Sequence, residues 1–248
     1  MHLRKKSWPL RLGLGLAVVV GLFLIPQQTE GGGFGAMDPK TQTHRGIQQT
    51  GQSHPVLLDV PVWGQYPQLP TGCEATAVAM LLTYAGEPVT KEMVALALPR
   101  APLPHEEQGR RVGASPNTAF LGDPWKPDSL GVFHRPVAAV IDRFLPGAAL
   151  DLTGTPLLEV LQHVAAGEPV MVWTTIDLAE PKVAESWEDP QGKPVVWLSP
   201  EHVVVIVGFD AQSIWANDPT TGKRTIYPRA LFEKRYDQMG RQAVAIRR

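Results

Sequence analysis

The sequence predicts an α+β fold with helices first and an antiparallel sheet last. Three observations predict it. Apolar residues recur at three- and four-residue spacing over 73–85 and 90–98, and each segment carries helix start or stop signals. The β-branched run from His202 to Phe209 is followed by shorter strand-like segments separated by turns. Gly 23 and Pro 24 in 248 residues exceed the usual share, so loops must link a modest number of regular elements.

The elements follow in order. Val56 to Val62 is a short extended stretch. Cys73 to Ala85 is a helix, with Ala77, Met80, Leu81 and Tyr84 on one stripe and Gly86 as its stop. Thr90 caps a second helix that runs to Leu98. Residues 99–131 hold six prolines and read as loop. Pro136 to Phe144 is a short helix. Thr155 as N-cap, Pro156 at the first helical position and Gly167 as stop bound a further helix. Pro169 to Thr175 is a strand, and the polar, Pro-rich stretch 177–200 reads as loop. His202 to Phe209 is a buried central strand. Ile214–Asn217, Lys223–Tyr227 and Gln242–Ile246 complete the sheet.

Ahead of this domain lie two other segments. His2, Arg4, Lys5, Lys6 and Arg11 precede an apolar run from Leu12 to Pro26 of about 14 residues. Residues 1–26 therefore read as a signal-anchor or a cleaved signal peptide, with membrane contact through that segment. Either reading exports the rest of the chain. It stays tethered to the outer face of the cytoplasmic membrane, or is secreted if the segment is cleaved. Residues 27–55 hold Gly31, Gly32, Gly33 and Gly35 with six glutamines and read as a flexible linker, with a reach on the order of 30 Å. Residues 56–248 form the folded domain.

Composition excludes several classes. Hydrophobic residues at 44% and charged residues at 19% supply a packed core. The net charge is −1, with +3 in residues 1–40 and −4 in the remainder, so no broad basic face awaits nucleic acid. One cysteine rules out an internal disulfide framework and any Cys-rich metal site. No His/Asp/Glu cluster has ligand spacing, so no metal or cofactor is expected.

Four residues stand out chemically. Cys73 follows Gly72 at a helix start, where free N–H groups favour thiolate over thiol; its pKa is expected below the free value of about 8.5. The same amides can hold an oxyanion. A buried, inert thiol is the competing reading. His202 is the histidine that opens the buried strand and is placed to act as a base, whereas His2, His44 and His54 lie in the tail or linker. His105 and His134 read as loop residues and His163 as mid-helix. Asn217-Asp218-Pro219 ends the next strand. Counting back through the 210–213 turn sets residues 216–218 level with 204–202, so Asp218 or Asn217 reaches His202. A simple Asx turn is the alternative. Gln65, or Gln68 on spacing, can supply a side-chain amide to an oxyanion.

These residues resemble a known family. Val60-Pro61, Gln65, Leu69-Pro70-Thr71-Gly72-Cys73-Glu74-Ala75, Gly122-Asp123-Pro124, Glu201 to Asp210, Asn217-Asp218-Pro219 with Gly222, and Phe232-Glu233 to Ala243 are similar to C39-type cysteine peptidases. Within it, the chain looks like the free-standing, exported relatives of bacteria. The resemblance covers about residues 56–246. It implies a papain-like fold with the nucleophile opening the central helix. It also implies Cys73 as nucleophile, His202 as general base and acid, Asp218 as the orienting carboxylate and Gln65 as oxyanion donor. The function implied is an extracytoplasmic thiol peptidase acting on a peptide or protein through an acyl-enzyme. No transporter or ATPase motif is present, so leader processing is not carried over. A cell-wall peptide amidase or acyltransferase of the same chemistry is one alternative. A non-catalytic peptide-binding module on the papain-like frame is another. Residues 99–131 and 177–200 would shape the cleft, with Trp125, Phe133, Trp187 and Trp197 as wall or plain packing.

Overall fold

The computed structural model describes residues 55–247. The signal or anchor segment and residues 27–54 of the expected linker lie outside the described residues. Among the described residues, no helix is long and apolar enough to cross a membrane.

Among the described residues there are thirteen strands and five α-helices. β1 is Val56–Leu57, followed by α1 Cys73–Tyr84 and α2 Lys91–Ala97. Four short strands follow: β2 Arg100–Ala101, β3 His105–Glu107, β4 Arg110–Val112 and β5 Phe120–Leu121. Then come α3 His134–Phe144, β6 Ala149–Asp151, α4 Leu157–Ala165 and β7 Val170–Thr175. β8 Lys182–Glu188 and β9 Pro194–Ser199 precede β10 Glu201–Phe209, β11 Ser213–Asp218 and β12 Lys223–Pro228. α5 Arg229–Gln238 and β13 Ala243–Ile246 end the domain. The expected α+β class with an antiparallel main sheet is observed, although helix α5 interrupts the C-terminal strands.

The main sheet has the order β12-β11-β10-β7-β13-β6, all antiparallel, and β1 adds to the far end of β10. Strict alternation gives it two apolar faces. Met171, Trp173, Val203, Val205, Val207, Val244 and Ile246 pack with α1, α2 and α3. Val170, Val172, Val204, Ile206, Ala243 and Ala245 pack with α4 and α5. α1 is buried from Cys73 through Leu82, as expected of a helix that is apolar or small on every side. Gly72 precedes it because a Cβ there would collide with Leu69. The Thr90 hydroxyl accepts from Met93 N at 3.2 Å, so the expected cap of α2 is observed.

Several local expectations are corrected. Thr155 does not cap α4; Pro156 holds that position without a side-chain bond, and the helix starts at Leu157. The Thr155 carbonyl instead accepts from Tyr236 Oη at 2.9 Å. Residues 177–200 are not a loop. β8 and β9 form a hairpin, which joins β3 and β4 in a second sheet. In that hairpin only Trp187 and Trp197 are buried, and Val183 and Val196 stand exposed, so its apolar residues do not follow the alternation of a half-buried strand pair. Residues 99–131 likewise carry β2 to β5, each of only two or three residues. α5 was not expected, because Phe232, Arg235 and Tyr236 are its only buried residues and one of them is charged.

Gly208 fixes how β1 meets the sheet. A Cβ there would run into the carbonyl oxygen of Val56 and come 2.9 Å from the Trp215 ring. Gly208→Ala is expected to destabilise the domain by about 1–3 kcal/mol through overpacking. Thermal unfolding checks this, and an unchanged melting temperature would remove the close-approach argument.

Candidate active site

The site is built where the N-terminus of α1 meets the opening residues of β10. A cavity of about 360 Å³ lies there, lined by Gln65, Cys73, Trp197, Glu201, His202 and Thr220 among others. Cys73 comes from the first turn of the central helix, His202 from the second position of β10, and Asp218 from the end of β11.

The register between β10 and β11 differs from the count made on sequence. Phe209 pairs with Ile214 across the turn, and beyond an irregularity between Ile206 and Gly208 that shifts the ladder by one, Ala216 pairs with Ile206 and Asn217 with Val205. Asp218 is therefore two residues away from the position level with His202. The two share a face, and that diagonal is short enough for a long side chain to cross. His202 Nε2 lies 2.8 Å from Asp218 Oδ1, and both residues are buried. Asp218 also accepts from Thr220 N at 2.8 Å and from Tyr227 Oη at 3.0 Å. Burial alone would raise the Asp218 carboxyl, but the His202 contact and these donors outweigh it and hold the group below its ordinary value. An ionised Asp218 takes the Nε2 proton of His202 as its hydrogen bond. That leaves Nδ1 as the basic nitrogen. Asn217 does not reach the imidazole; its amide donates to the carbonyls of Val60 and Pro61 at 3.1 Å each and braces the approach to the site.

Gln65 lies in the cleft and Gln68 outside it. Gln65 Nε2 donates to Pro70 O at 2.7 Å, and its Oε1 accepts from Thr220 Oγ1 at 3.4 Å. The Lys91 ammonium clamps this loop from behind, donating to Gly64 O at 2.6 Å, Gln65 O at 2.9 Å and Gln68 Oε1 at 3.0 Å. Of the four aromatic residues named above, Trp197 lines the cleft. Phe133 stacks on it at 5.5 Å, Trp187 packs beside it, and Trp125 lies under the Arg100 guanidinium.

The thiol itself is held differently from expectation. Among the described residues no hydrogen bond joins Cys73 to His202. The side-chain partner of Sγ is Glu74 Oε2, at 3.4 Å. Glu74 is fully buried, and its Oε1 accepts from Val132 N at 2.7 Å. Strand parity brings a second carboxyl to the same place. Val203, Val205 and Val207 face α1, and so does Glu201, whereas His202 shares the other face with Val204 and Ile206. Sγ and one oxygen from each of Glu74 and Glu201 lie within 4.8 Å of one another. Gly131 leaves them room, since a Cβ there would strike Glu74 Oε1.

These neighbours reverse the expected acidity of Cys73. Burial, then the charges of Glu74 and Glu201, then the Glu74 hydrogen bond push the thiol well above its ordinary range. Only the Val203 amide works the other way. The helix start supplies its N–H groups, but burial and the two adjacent carboxyls outweigh a helix end. Burial likewise pushes Glu74 up to about 7 and Glu201 well above its ordinary value, the latter also through Glu74. Sequence reading missed this carboxyl pair. Nothing in the sequence sets Glu74 apart from any acidic residue in a first helical turn, or Glu201 from any residue before a histidine. Only strand parity joins them, and parity was readable once β10 was assigned.

A papain-like α+β domain with a thiol and a carboxylate-bound imidazole lining one cleft defines the class of protein. The model of the Peptidase C39-like family matches residues 57–244, and the chain belongs to that family. It is 36% identical over 193 residues to the uncharacterized protein YvpB of Bacillus subtilis (strain 168), covering 77% of this chain and 76% of that one. It is also similar to a crystal structure of a Bacillus anthracis protein assigned by inference as a C39-like peptidase. That match has a TM-score of 0.72 and 33% identity, and covers 79% of this chain and 98% of the other.

The Glu74 shift sets a pH dependence of stability. Its folded pKa of about 7 lies above its ordinary 4.5. The folded state therefore binds the proton more tightly, and that stabilisation is fully present below about pH 4.5 and lost as pH rises through about 7. Denaturant midpoints are expected to fall between pH 5 and pH 8, and to fall less in Glu74→Gln. An equal drop in both proteins would show that Glu74 does not titrate in this window.

Proposed function

We propose that the protein is an exported thiol peptidase that hydrolyses an amide bond of a peptide or protein through Cys73, His202 and Asp218. One observation carries the reading: a cysteine opening the central helix and an imidazole bound to a buried carboxylate line the same cavity. Export rests on the basic N-terminus followed by its apolar run, with tethering at the membrane's outer face or release after cleavage.

The chemistry begins when Sγ turns from Glu74 toward the imidazole. Nδ1 of His202 takes the thiol proton, and the sulfur attacks the substrate carbonyl carbon. The negative charge collects on the carbonyl oxygen, where the N–H groups opening α1 and the Gln65 amide are the available donors. His202 then protonates the leaving amine and the C–N bond breaks, leaving a thioester on Cys73. Water, losing a proton to His202, attacks that thioester and releases the carboxylic acid. Asp218 stabilises the imidazolium in both halves.

A non-catalytic peptide-binding module is favoured by one observation, the raised thiol bonded to Glu74 instead of His202. Hydrolysis of a peptide library by the full chain separates the two readings. Cys73→Ala is expected to abolish turnover, and His202→Ala to lower kcat/KM by on the order of 10³-fold or more. Asp218→Asn is expected to lower it by about 10²- to 10⁴-fold. Cleavage that survives Cys73→Ala would sink the peptidase reading. So would the absence of any cleavage together with no labelling of Cys73 by acylating probes, and the binding module would then stand.

A further inference from the structure

We infer that Glu201, backed by Glu74, forms an acidic subsite beside Cys73 that receives a primary ammonium group of the substrate. The inference rests on the peptidase reading and names the class of substrate for that same cleft. It starts from an imbalance. Two carboxyls, one from α1 and one from β10, lie against the thiol with no cation to answer them. Among the described residues neither forms an ion pair with lysine or arginine. Among the described residues the titratable group clustered with the pair is Cys73 on α1; the neighbouring His202 on β10 turns to the other face of the strand and is bound to Asp218. The 131–132 segment brings a glycine and a backbone amide, and β9 brings the Trp197 ring.

Glu201 lines the cavity, yet its Oε1 is buried and has no hydrogen-bond partner. An unanswered carboxylate oxygen in a binding cleft is costly, and it is a place for a donor to bind. The spacing suits a small one. With acceptor atoms no more than 4.8 Å apart, a single nitrogen can sit about 2.8 Å from an oxygen of each carboxyl. An ammonium offers three donors and one positive charge in that volume. Trp197 gives its carbon stem an apolar wall. Burial, which raises both carboxyls, favours a proton on the pair; an entering ammonium favours the charged forms, so its binding releases protons and strengthens with pH.

The test uses the full chain and needs no turnover. Cys73 is the only cysteine, so methanethiosulfonates of different charge label that residue alone. In each case the sulfur forms a mixed disulfide and a sulfinate leaves. The rate for the 2-aminoethyl reagent is divided by that for the neutral ethyl reagent, and the quotient is compared with that of a small free thiol. At pH 8 the protein is expected to favour the cation by about ten-fold over the free thiol. The preference should shrink at pH 6, and disappear in Glu201→Gln, with melting curves confirming that the variant folds.

A quotient equal to the free thiol, or one unchanged in folded Glu201→Gln, overturns the inference. Protection from the neutral reagent then identifies the source of the amine. Protection by N-acetyl-lysine amide assigns a side-chain ammonium, protection by alanyl-alanine amide assigns the peptide N-terminus, and protection by neither overturns it. Protection by zinc ions alone would make the pair a metal site and overturn it as well. A chain that hydrolyses no peptide can still show the charge preference, and an active one can lack it, so the two failures are distinguishable.

Discussion

The cleft depends on the parity of one strand. β10 alternates strictly between the layer holding α1 and the layer holding α4 and α5, because both faces of the sheet are buried and every side chain must choose one. That rule puts Glu201 against the thiol and His202 beside Asp218. Shifting the register by one residue would exchange them and bury the five valines and isoleucines of β10 against the wrong partners. The apolar core therefore fixes the position of two polar side chains that contribute nothing to it. The residues of the core are the reason the imidazole and the thiol approach the cavity from different faces of the same strand.

The second constraint is the way the backbone is brought up to the site. α1 is buried on all sides, so its first turn cannot shift without moving the sheet. The chain ahead of it is tied down by polar contacts in place of apolar ones: Asn217 holds the carbonyls of Val60 and Pro61, Gln65 N donates to Pro219 O at 2.7 Å, and Lys91 holds the carbonyls of Gly64 and Gln65. Each of these reaches across from β11, its following turn or α2. The Gln65 loop is thus joined to both sides of the cleft, which suits a group whose value depends on where its amide points. Glycines supply the close approaches. Gly64 and Gly222 meet backbone to backbone, and Gly131 lies against the Glu74 carboxyl.

Much of this was legible in the amino-acid sequence, and the exceptions share a cause. Helix α1, the cap at Thr90 and strand β10 carry strong one-dimensional signals, because a buried helix or a central strand writes its environment into consecutive residues. Cys73, His202, Asp218 and Gln65 were selected from position and from the family resemblance, and all four lie around one cavity or one hydrogen bond from it. The β8–β9 hairpin and α5 left weak signals, since each buries only two or three side chains. The 216–204 register missed by two because the count did not start from the Phe209–Ile214 pair that closes the turn, and the bulge beyond it takes back only one residue. The acidity of Cys73 was read with the wrong sign for a similar reason. A helix start is visible in sequence, whereas a carboxyl arriving from 128 positions away is not.

The resting thiol and the proposed chemistry fit together once the carboxyl pair is considered as part of the binding site. A thiol buried, bonded to Glu74 and flanked by acidic groups is a poor nucleophile, and that protects the cleft from adventitious alkylation and oxidation. The groups that suppress it are the ones an ammonium would neutralise. A cation seated between Sγ and the two carboxylates removes the repulsion that adds to burial in raising the thiol, and it takes Glu74 away as the partner of Sγ. The sulfur is then free to turn to Nδ1 of His202, where its proton has a base to go to. Substrate charge would in this way do two things with one contact, selecting the peptide and releasing the nucleophile. The energy needed for the second comes from binding, which is how an enzyme converts recognition into rate without keeping a reactive group exposed between turnovers.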